Sequence, residues 1–273
     1  MAIPFLQEAV ILTMRIGLST ACYYPQPTEE ALAAVVEGGA DCTEIFFNAF
    51  SELTPAFLGQ LQTILAGGRT QVVSIHPFTS GMEPMLFFGD YPRRMEDGLE
   101  MYKLYFQALA TLGGRYLVLH GAYQKKTTSY AQYLEAYGRL DELAKSFGVR
   151  ISQENVGRCM SSQPALFRAL RQAFPDACFT LDLKQCLRCD YALEDFLDAM
   201  GPNLCHLHLS DADDRRDCLP VGEGSFDFAS FLGRMHRAGY QGDGVLELYN
   251  HNYSQPDELW DSVRSIQKFL NVL

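Results

Sequence analysis

The 273-residue chain has no apolar run approaching the roughly twenty residues needed to span a bilayer, so no membrane-embedded segment and no membrane partner are expected. It has no linker-like stretch, low-complexity tract or block of like charge, which leaves one domain as the expected organisation. The opening, MAIPFLQEAVILT, lacks a basic n-region and a small-residue cleavage site, and Glu8 interrupts its apolar part. No signal peptide is expected there. Residues 1–13 read as an N-terminal extension, either an upstream start or a short cap, ahead of a domain over residues 14–273. The 8 cysteines form no spaced framework, in a chain too large to need disulfide staples, so an intracellular, cytoplasmic protein with reduced thiols is expected. The pair Cys186 and Cys189 leaves half a zinc site, a redox pair and coincidence all open. There is no basic excess either: 22 Lys and Arg against 33 Asp and Glu give a formal charge of −11. Extended contact with a phosphate backbone draws its affinity from cationic side chains, so a nucleic-acid partner is not expected.

What the chain does have is a strict alternation of strand and helix patterns. Strand-like runs are RIGLST, DCTEIFF, VVSIHPF, RYLVLHGA, VRISQEN, CFTLDL, LCHLHLSD and GVLELYN. Helical periodicity falls between them, with Thr28, Ser162 and a Ser254–Asp257 capping box as expected N-terminal caps. Eight strands alternating with eight helices predict an α/β parallel sheet, and eight repeats favour closure into a single (β/α)8 TIM barrel, for which about 250 residues is typical. The longer segment SGMEPMLFFGDYP suits a rim element over a pocket.

Almost every strand-like run ends in a side chain able to bind a metal: Glu44, His76, His120, Glu154, Asp182, His208 and Glu247. One such residue has ordinary explanations, a hydrogen-bonded histidine or a helix-capping acid. Six at the same end of successive strands, from His76 to Glu247, converge only if all strands open onto one face, as they do in a parallel barrel. Imidazole and carboxylate ligands suit Zn²⁺, Mn²⁺, Co²⁺ or Mg²⁺, which can polarise a carbonyl or activate water. By strand alternation His206 shares the face of His208 one layer deeper, as packing or as support. His236 falls in a helical pattern, and His251 is a rim contact or nothing.

The segments HLHLSD, LPVGEGSFDF and AGYQGDGVLELY resemble the xylose isomerase-like TIM-barrel superfamily, and the similarity runs from Met14 onward. Its most specific pieces are His208 with Asp211, the Gly222–Glu223–Gly224 turn, and the approach to Glu247. The resemblance implies that Glu154, Asp182, His208 and Glu247 hold a divalent metal and that Glu154 and Glu247 act as a catalytic acid/base pair. In the endonuclease IV-like branch it further implies a second zinc at His76 and His120, bridged by Glu154. Two positions depart from the pattern. Gln185 stands where both branches commonly carry His, and Cys218 where the endonucleases often have His and the sugar epimerases Arg. Glu44, Lys184, Gln185, Arg215, Arg216 and Cys218 are the expected substrate contacts; Lys184, Arg215 and Arg216 are equally readable as solvated rim charges. The expectation is a metal-dependent isomerase or epimerase of a small-molecule sugar, sugar phosphate or related polyol, working by proton transfer beside a metal-bound carbonyl, with a homo-oligomer left open. The alternatives are an endonuclease IV-like zinc phosphodiesterase and a non-catalytic sugar- or metal-binding barrel.

Overall fold

The computed structural model describes residues 14–124 and 128–273. The N-terminal extension expected over residues 1–13 lies outside them. Eight parallel strands close into a barrel in chain order: β1 Ile16–Ser19, β2 Cys42–Phe47, β3 Gln71–Pro77, β4 Tyr116–Leu119, β5 Arg150–Glu154, β6 Cys178–Asp182, β7 Leu204–Leu209 and β8 Asp243–Leu246. The seam is the β8–β1 pairing, with Gly17 opposite Val245. At Gly17 the strands come so close that a Cβ would lie 1.7 Å from the Cys42 carbonyl oxygen, so only glycine fits.

A helix of eight residues or more follows each strand, the longest being Pro92–Thr111. Its internal Gly98 is a packing requirement, because a Cβ there would meet the Phe87 ring at 2.7 Å. Buried aromatics, among them Tyr102, Tyr105, Tyr133, Phe167 and Phe196, fill the layer between strands and helices. The rim segment after β3 folds into a 3-10 turn, Phe78–Met82, and a short helix, Glu83–Leu86.

Three expected caps are corrected. Thr28 is the first residue inside its helix rather than the cap, and its hydroxyl donates to the Phe46 carbonyl at 3.4 Å. Ser162 closes a 3-10 turn, and Gln163 precedes the helix Pro164–Ala173. At the last helix the box is shifted by one residue: Glu258 accepts from the backbone N–H of Gln255 at 2.9 Å and of Ser254 at 3.1 Å. In each case a proline at the first helical turn or a tertiary acceptor outcompetes the local signal.

Candidate active site

Parallel strands deliver their last side chains to one end of the barrel, and that end carries the acids and histidines. Glu154 ends β5 and Asp182 ends β6; His208 is the penultimate residue of β7, and Glu247 directly follows β8. Register sets Asp182 opposite His208. One potential ligand atom from each of the four lies within 4.8 Å of the others. His208 Nδ1 is 3.6 Å from Glu154 Oε1, 3.8 Å from Asp182 Oδ2 and 3.4 Å from Glu247 Oε2. Glu154 Oε2 and Asp182 Oδ2 are buried and face His120 Nε2 at 3.0 Å and Lys184 Nζ at 3.1 Å, while buried His208 Nδ1 makes no hydrogen bond. Buried polar atoms are almost always paired, so an unpaired Nδ1 facing three carboxylates is a candidate ligand position. A divalent cation with oxygen and imidazole ligands fits this donor set.

Asp182 is held by its neighbours. Its backbone N–H donates to Asn155 Oδ1 at 2.7 Å, its carbonyl accepts from Asn155 Nδ2 at 3.1 Å, and its Oδ1 caps the short helix Leu183–Leu187 by accepting from the Gln185 N–H at 3.0 Å. The other oxygen, Oδ2, lies 3.1 Å from Lys184 Nζ and 3.8 Å from His208 Nδ1.

A second group shares Glu154. His120 Nε2 is 3.0 Å from Glu154 Oε2 and 3.0 Å from His76 Nε2, and the His76 ring stacks on Phe46 with centroids 4.9 Å apart. From the rim segment Glu83 reaches under His120 and accepts from the backbone N–H of His120 and Gly121 at 2.8 and 2.7 Å.

Lys184 is buried with its ammonium 3.1 Å from Asp182 Oδ2 and 2.8 Å from Glu247 Oε2, and the Tyr249 ring centroid 5.0 Å away. It therefore faces the carboxylates and not the rim. Burial opposes ionisation of Glu247, but Lys184 and His208 outweigh it and hold that carboxyl well below its ordinary value. Burial likewise opposes the charge on Glu154, which His120 and His208 overcome, so it too stays ionised. Asp182 moves the other way: burial raises it, against the pull of Lys184. Burial disfavours the imidazolium of His208, yet Glu44 and Glu247 raise it well above the ordinary histidine range.

The expected substrate contacts separate. Glu44 has no exposed surface; it lies beneath the cluster, bonded to side chains of the barrel interior. Gln185 Oε1 accepts from the Gly157 N–H at 3.1 Å, so its amide oxygen is spent on the loop after β5. Cys218 is fully buried at φ 61°, its thiol 3.4 Å from the Glu247 carbonyl oxygen, which makes it a packing residue under β8. Arg215 and Arg216 lie at the rim beside a cavity of about 620 Å³ with Arg188 and Tyr249. Arg216 is paired to Asp213 at 2.8 Å, and the Arg215 side chain is 86% exposed. Asp211, from the motif pair with His208, accepts from the N–H groups of Ala212, Gly222 and Phe226 and so shapes the glycine turn.

Asn155, Glu83 and Tyr249 were not singled out from the sequence. Asn155 and Tyr249 sit one and two residues past the strand-end acids Glu154 and Glu247, a signal that could have found them; Glu83 has none.

The xylose isomerase-like TIM barrel family model matches residues 32–269. The chain belongs to that family. Among curated relatives of this xylose isomerase-like barrel, fructoselysine 3-epimerase of Shigella flexneri is 22% identical over 257 residues, covering 89% of this chain and 93% of that protein. An uncharacterised protein of Methanocaldococcus jannaschii is 22% identical over 256 residues, covering 89% and 85%. Among solved structures, D-psicose 3-epimerase with D-tagatose from Clostridium cellulolyticum H10 superposes with a TM-score of 0.77 at 14% identity, over 95% of this chain and 99% of that one. The apo form of 3-keto-D-glucoside 4-epimerase from E. coli gives 0.73 at 18%, over 95% and 100%. At these identities the superpositions establish the shared barrel.

Proposed function

We propose that residues 14–273 form one catalytic domain, a metal-dependent epimerase or isomerase of a sugar, sugar phosphate or related polyol. The observation that carries this reading is the buried four-residue cluster, with His208 Nδ1 unpaired among three carboxylates, in a family whose curated relatives include a sugar epimerase. Glu154, Asp182, His208 and Glu247 would hold zinc, manganese, cobalt or magnesium. The cation supplies Lewis acidity, which polarises a carbonyl and acidifies the adjoining carbon-bound proton.

Glu154 and Glu247 come from β5 and β8, on either side of Asp182 and His208, so they approach a shared substrate from two directions. Nearby positive charge holds both carboxyls below their ordinary values, which favours their ionised, proton-accepting form. One carboxylate takes the proton from carbon on one face, and the other, having gained a proton from solvent, delivers it on the opposite face, which inverts the centre; the first then releases its proton to solvent. Lys184 orients the Glu247 carboxylate and moderates its basicity. The rim segment after β3, tied down through Glu83, limits water above His76 and His120. This reading involves a cytoplasmic small-molecule enzyme with no nucleic-acid or membrane partner.

The test is solvent exchange. A panel of ketoses, their phosphates and inososes is incubated in D₂O with Mn²⁺, Co²⁺, Mg²⁺ or Zn²⁺ and read by proton NMR. Deuterium is expected at a carbon beside the carbonyl. Glu247→Gln is expected to slow the exchange by about 10²–10⁴-fold while weakening metal binding far less. Exchange that continues at the wild-type rate in Glu247→Gln would remove it from the reaction.

A second reading, a phosphodiesterase of the endonuclease IV type, draws support from the His76, His120 and Glu154 group as a place for a second metal. The net charge of −11 opposes it. Incision of abasic-site duplex DNA at near-physiological salt, abolished by Glu154→Gln, would reverse the preference.

A further inference from the structure

The interior of a parallel barrel is ordinarily filled by branched apolar side chains, yet four strands here, β1, β2, β3 and β7, meet through polar ones. Glu44 of β2 is fully buried among Ser19 of β1, Ser74 of β3 and the two histidines of β7. Ser74 Oγ donates to Glu44 Oε2 at 2.8 Å, and Ser19 Oγ donates to Oε1 at 3.3 Å. His208 Nε2 is 3.1 Å from Glu44 Oε2, and His206 Nε2 is 3.1 Å from Ser74 Oγ. Ser74 spends its one proton on Glu44, so His206 is the donor to Ser74.

Two register shifts build this layer. On β3, Val73 is the extra residue between the pairs Thr43–Val72 and Glu44–Ser74. On β7, Cys205 is the extra residue between the pairs Phe179–Leu204 and Thr180–His206. A one-residue slip exchanges the two faces of a strand, so these bulges decide that Ser74, His206 and His208 meet Glu44. Burying a carboxylate here is costly, and the ring of donors offsets that cost only in this geometry. The expense has one evident beneficiary. A carboxylate can only accept, so the proton between Glu44 and His208 sits on Nε2. The other ring nitrogen, Nδ1, is thereby turned to Glu154, Asp182 and Glu247, where it has no hydrogen-bond partner.

We infer that Glu44 is the positioning residue of the centre: it holds the Nε2–H of His208 and so presents Nδ1 to a divalent cation, while Ser19, Ser74 and His206 hold Glu44. Metal-ligating histidines commonly carry such a carboxylate on their second nitrogen, which fixes the ring and raises its basicity as a ligand. The part of this inference that concerns a cation rests on the metal-centre reading above; the hold on His208 does not.

Two measurements separate them. The first is Co²⁺ titration, followed by visible absorption, of the wild type, Glu44→Leu and Glu44→Gln, with far-UV circular dichroism as the folding control. Glu44→Leu keeps the volume but removes the acceptor and is expected to weaken Co²⁺ binding by about 10–100-fold. Glu44→Gln retains an oxygen for Nε2–H and is expected to recover most of the affinity, which a merely space-filling role would not produce. The second is the imidazole N–H spectrum of ¹⁵N-histidine-labelled protein without metal, assigned by the loss of a signal in His208→Gln. A slowly exchanging Nε2–H of His208 is expected in the wild type and in Glu44→Gln, and not in Glu44→Leu. Wild-type Co²⁺ affinity in Glu44→Leu overturns the proposal. So does a wild-type protein with no protected Nε2–H on His208, a result that requires no variant of Glu44 to fold. A wild type that binds no Co²⁺ but shows the protected proton refutes the metal centre alone and leaves Glu44 as the anchor of His208.

Discussion

The two ends of the barrel use the same kinds of side chain to opposite effect. At the N-terminal end, Arg15 meets Asp243 through two hydrogen bonds of 2.7 and 2.6 Å, and Lys145 bridges Asp141 and Asp176 at 2.6 and 2.9 Å. Each of these acids faces a base, and the bases keep contact with solvent. At the C-terminal end, Glu154, Asp182 and Glu247 are gathered around one histidine, with Glu44 beneath it and His208 Nδ1 without a hydrogen-bond partner. One end sets acids against partly exposed bases, and the other gathers three carboxylates on one buried histidine and one buried lysine. That division matches the general separation in such barrels between a stabilising bottom and a reactive top.

Four changes test the contrast, and the largest effect is expected at the C-terminal end. Asp182→Ala should lower divalent-metal content by more than the roughly 10–100-fold typical of supporting residues, because it removes a ligand. Far-UV circular dichroism should stay nearly unchanged, and full metal occupancy by elemental analysis would take Asp182 out of the centre.

Next comes Glu83, the strut from the rim segment to the end of β4. Burial pushes its carboxyl up to about 7, against the pull of His120 and its backbone donors. The folded protein thus keeps a proton that the unfolded chain has already lost. The stability this proton contributes is full below the ordinary carboxylate range and is lost as pH rises towards about 7. Urea unfolding across that window should show the wild type losing on the order of 2–3 kcal/mol from this group. Glu83→Gln should flatten that part of the profile, and an unchanged slope would contradict the assignment.

Lys184→Met should act in the reverse sense to Asp182→Ala. The ammonium at 2.8 and 3.1 Å from two ligand carboxylates competes with an incoming cation. Its repulsion is on the order of 1 kcal/mol even with water-like screening, so Co²⁺ should bind about five- to tenfold more tightly in the variant. Weaker binding would mean that Lys184 serves chiefly to shape the site. The smallest effect is expected from Arg15→Met, at about 1 kcal/mol of stability for a partly exposed pair. Metal content should not change, and a large loss of metal would break the division between the two ends.

Much of this arrangement was legible from residue order. Glu154, Asp182, His208 and Glu247 each stand at or beside a strand end, and alternation along β7 placed His206 on the His208 side, below it. The helix starts were misread at Thr28, Ser162 and Ser254, because a capping side chain is a local signal and these sites are settled by a neighbouring proline or by an acceptor on another element. Glu44 was read as a substrate contact for a related reason. A strand pattern states which side a residue takes but not its depth, and depth depends on how the strands are staggered around the barrel. Gln185 and Cys218 stood out as departures from the family pattern, yet their partners, the Gly157 N–H and the Glu247 carbonyl, lie 28 and 29 residues away along the chain.

What the sequence by itself determined is the alternation of eight strands and eight helices and the chemical type of the residue that ends each strand, because apolar period and turn chemistry act over a few residues. What only the tertiary structure decided is which of those ends touch. The extra residues Val73 and Cys205 in β3 and β7 turn a serine and two histidines onto Glu44, and the short helix after β6 sets Lys184 between Asp182 and Glu247. These contacts follow from closure of the barrel, in which a one-residue register shift in one strand changes what faces a residue on another.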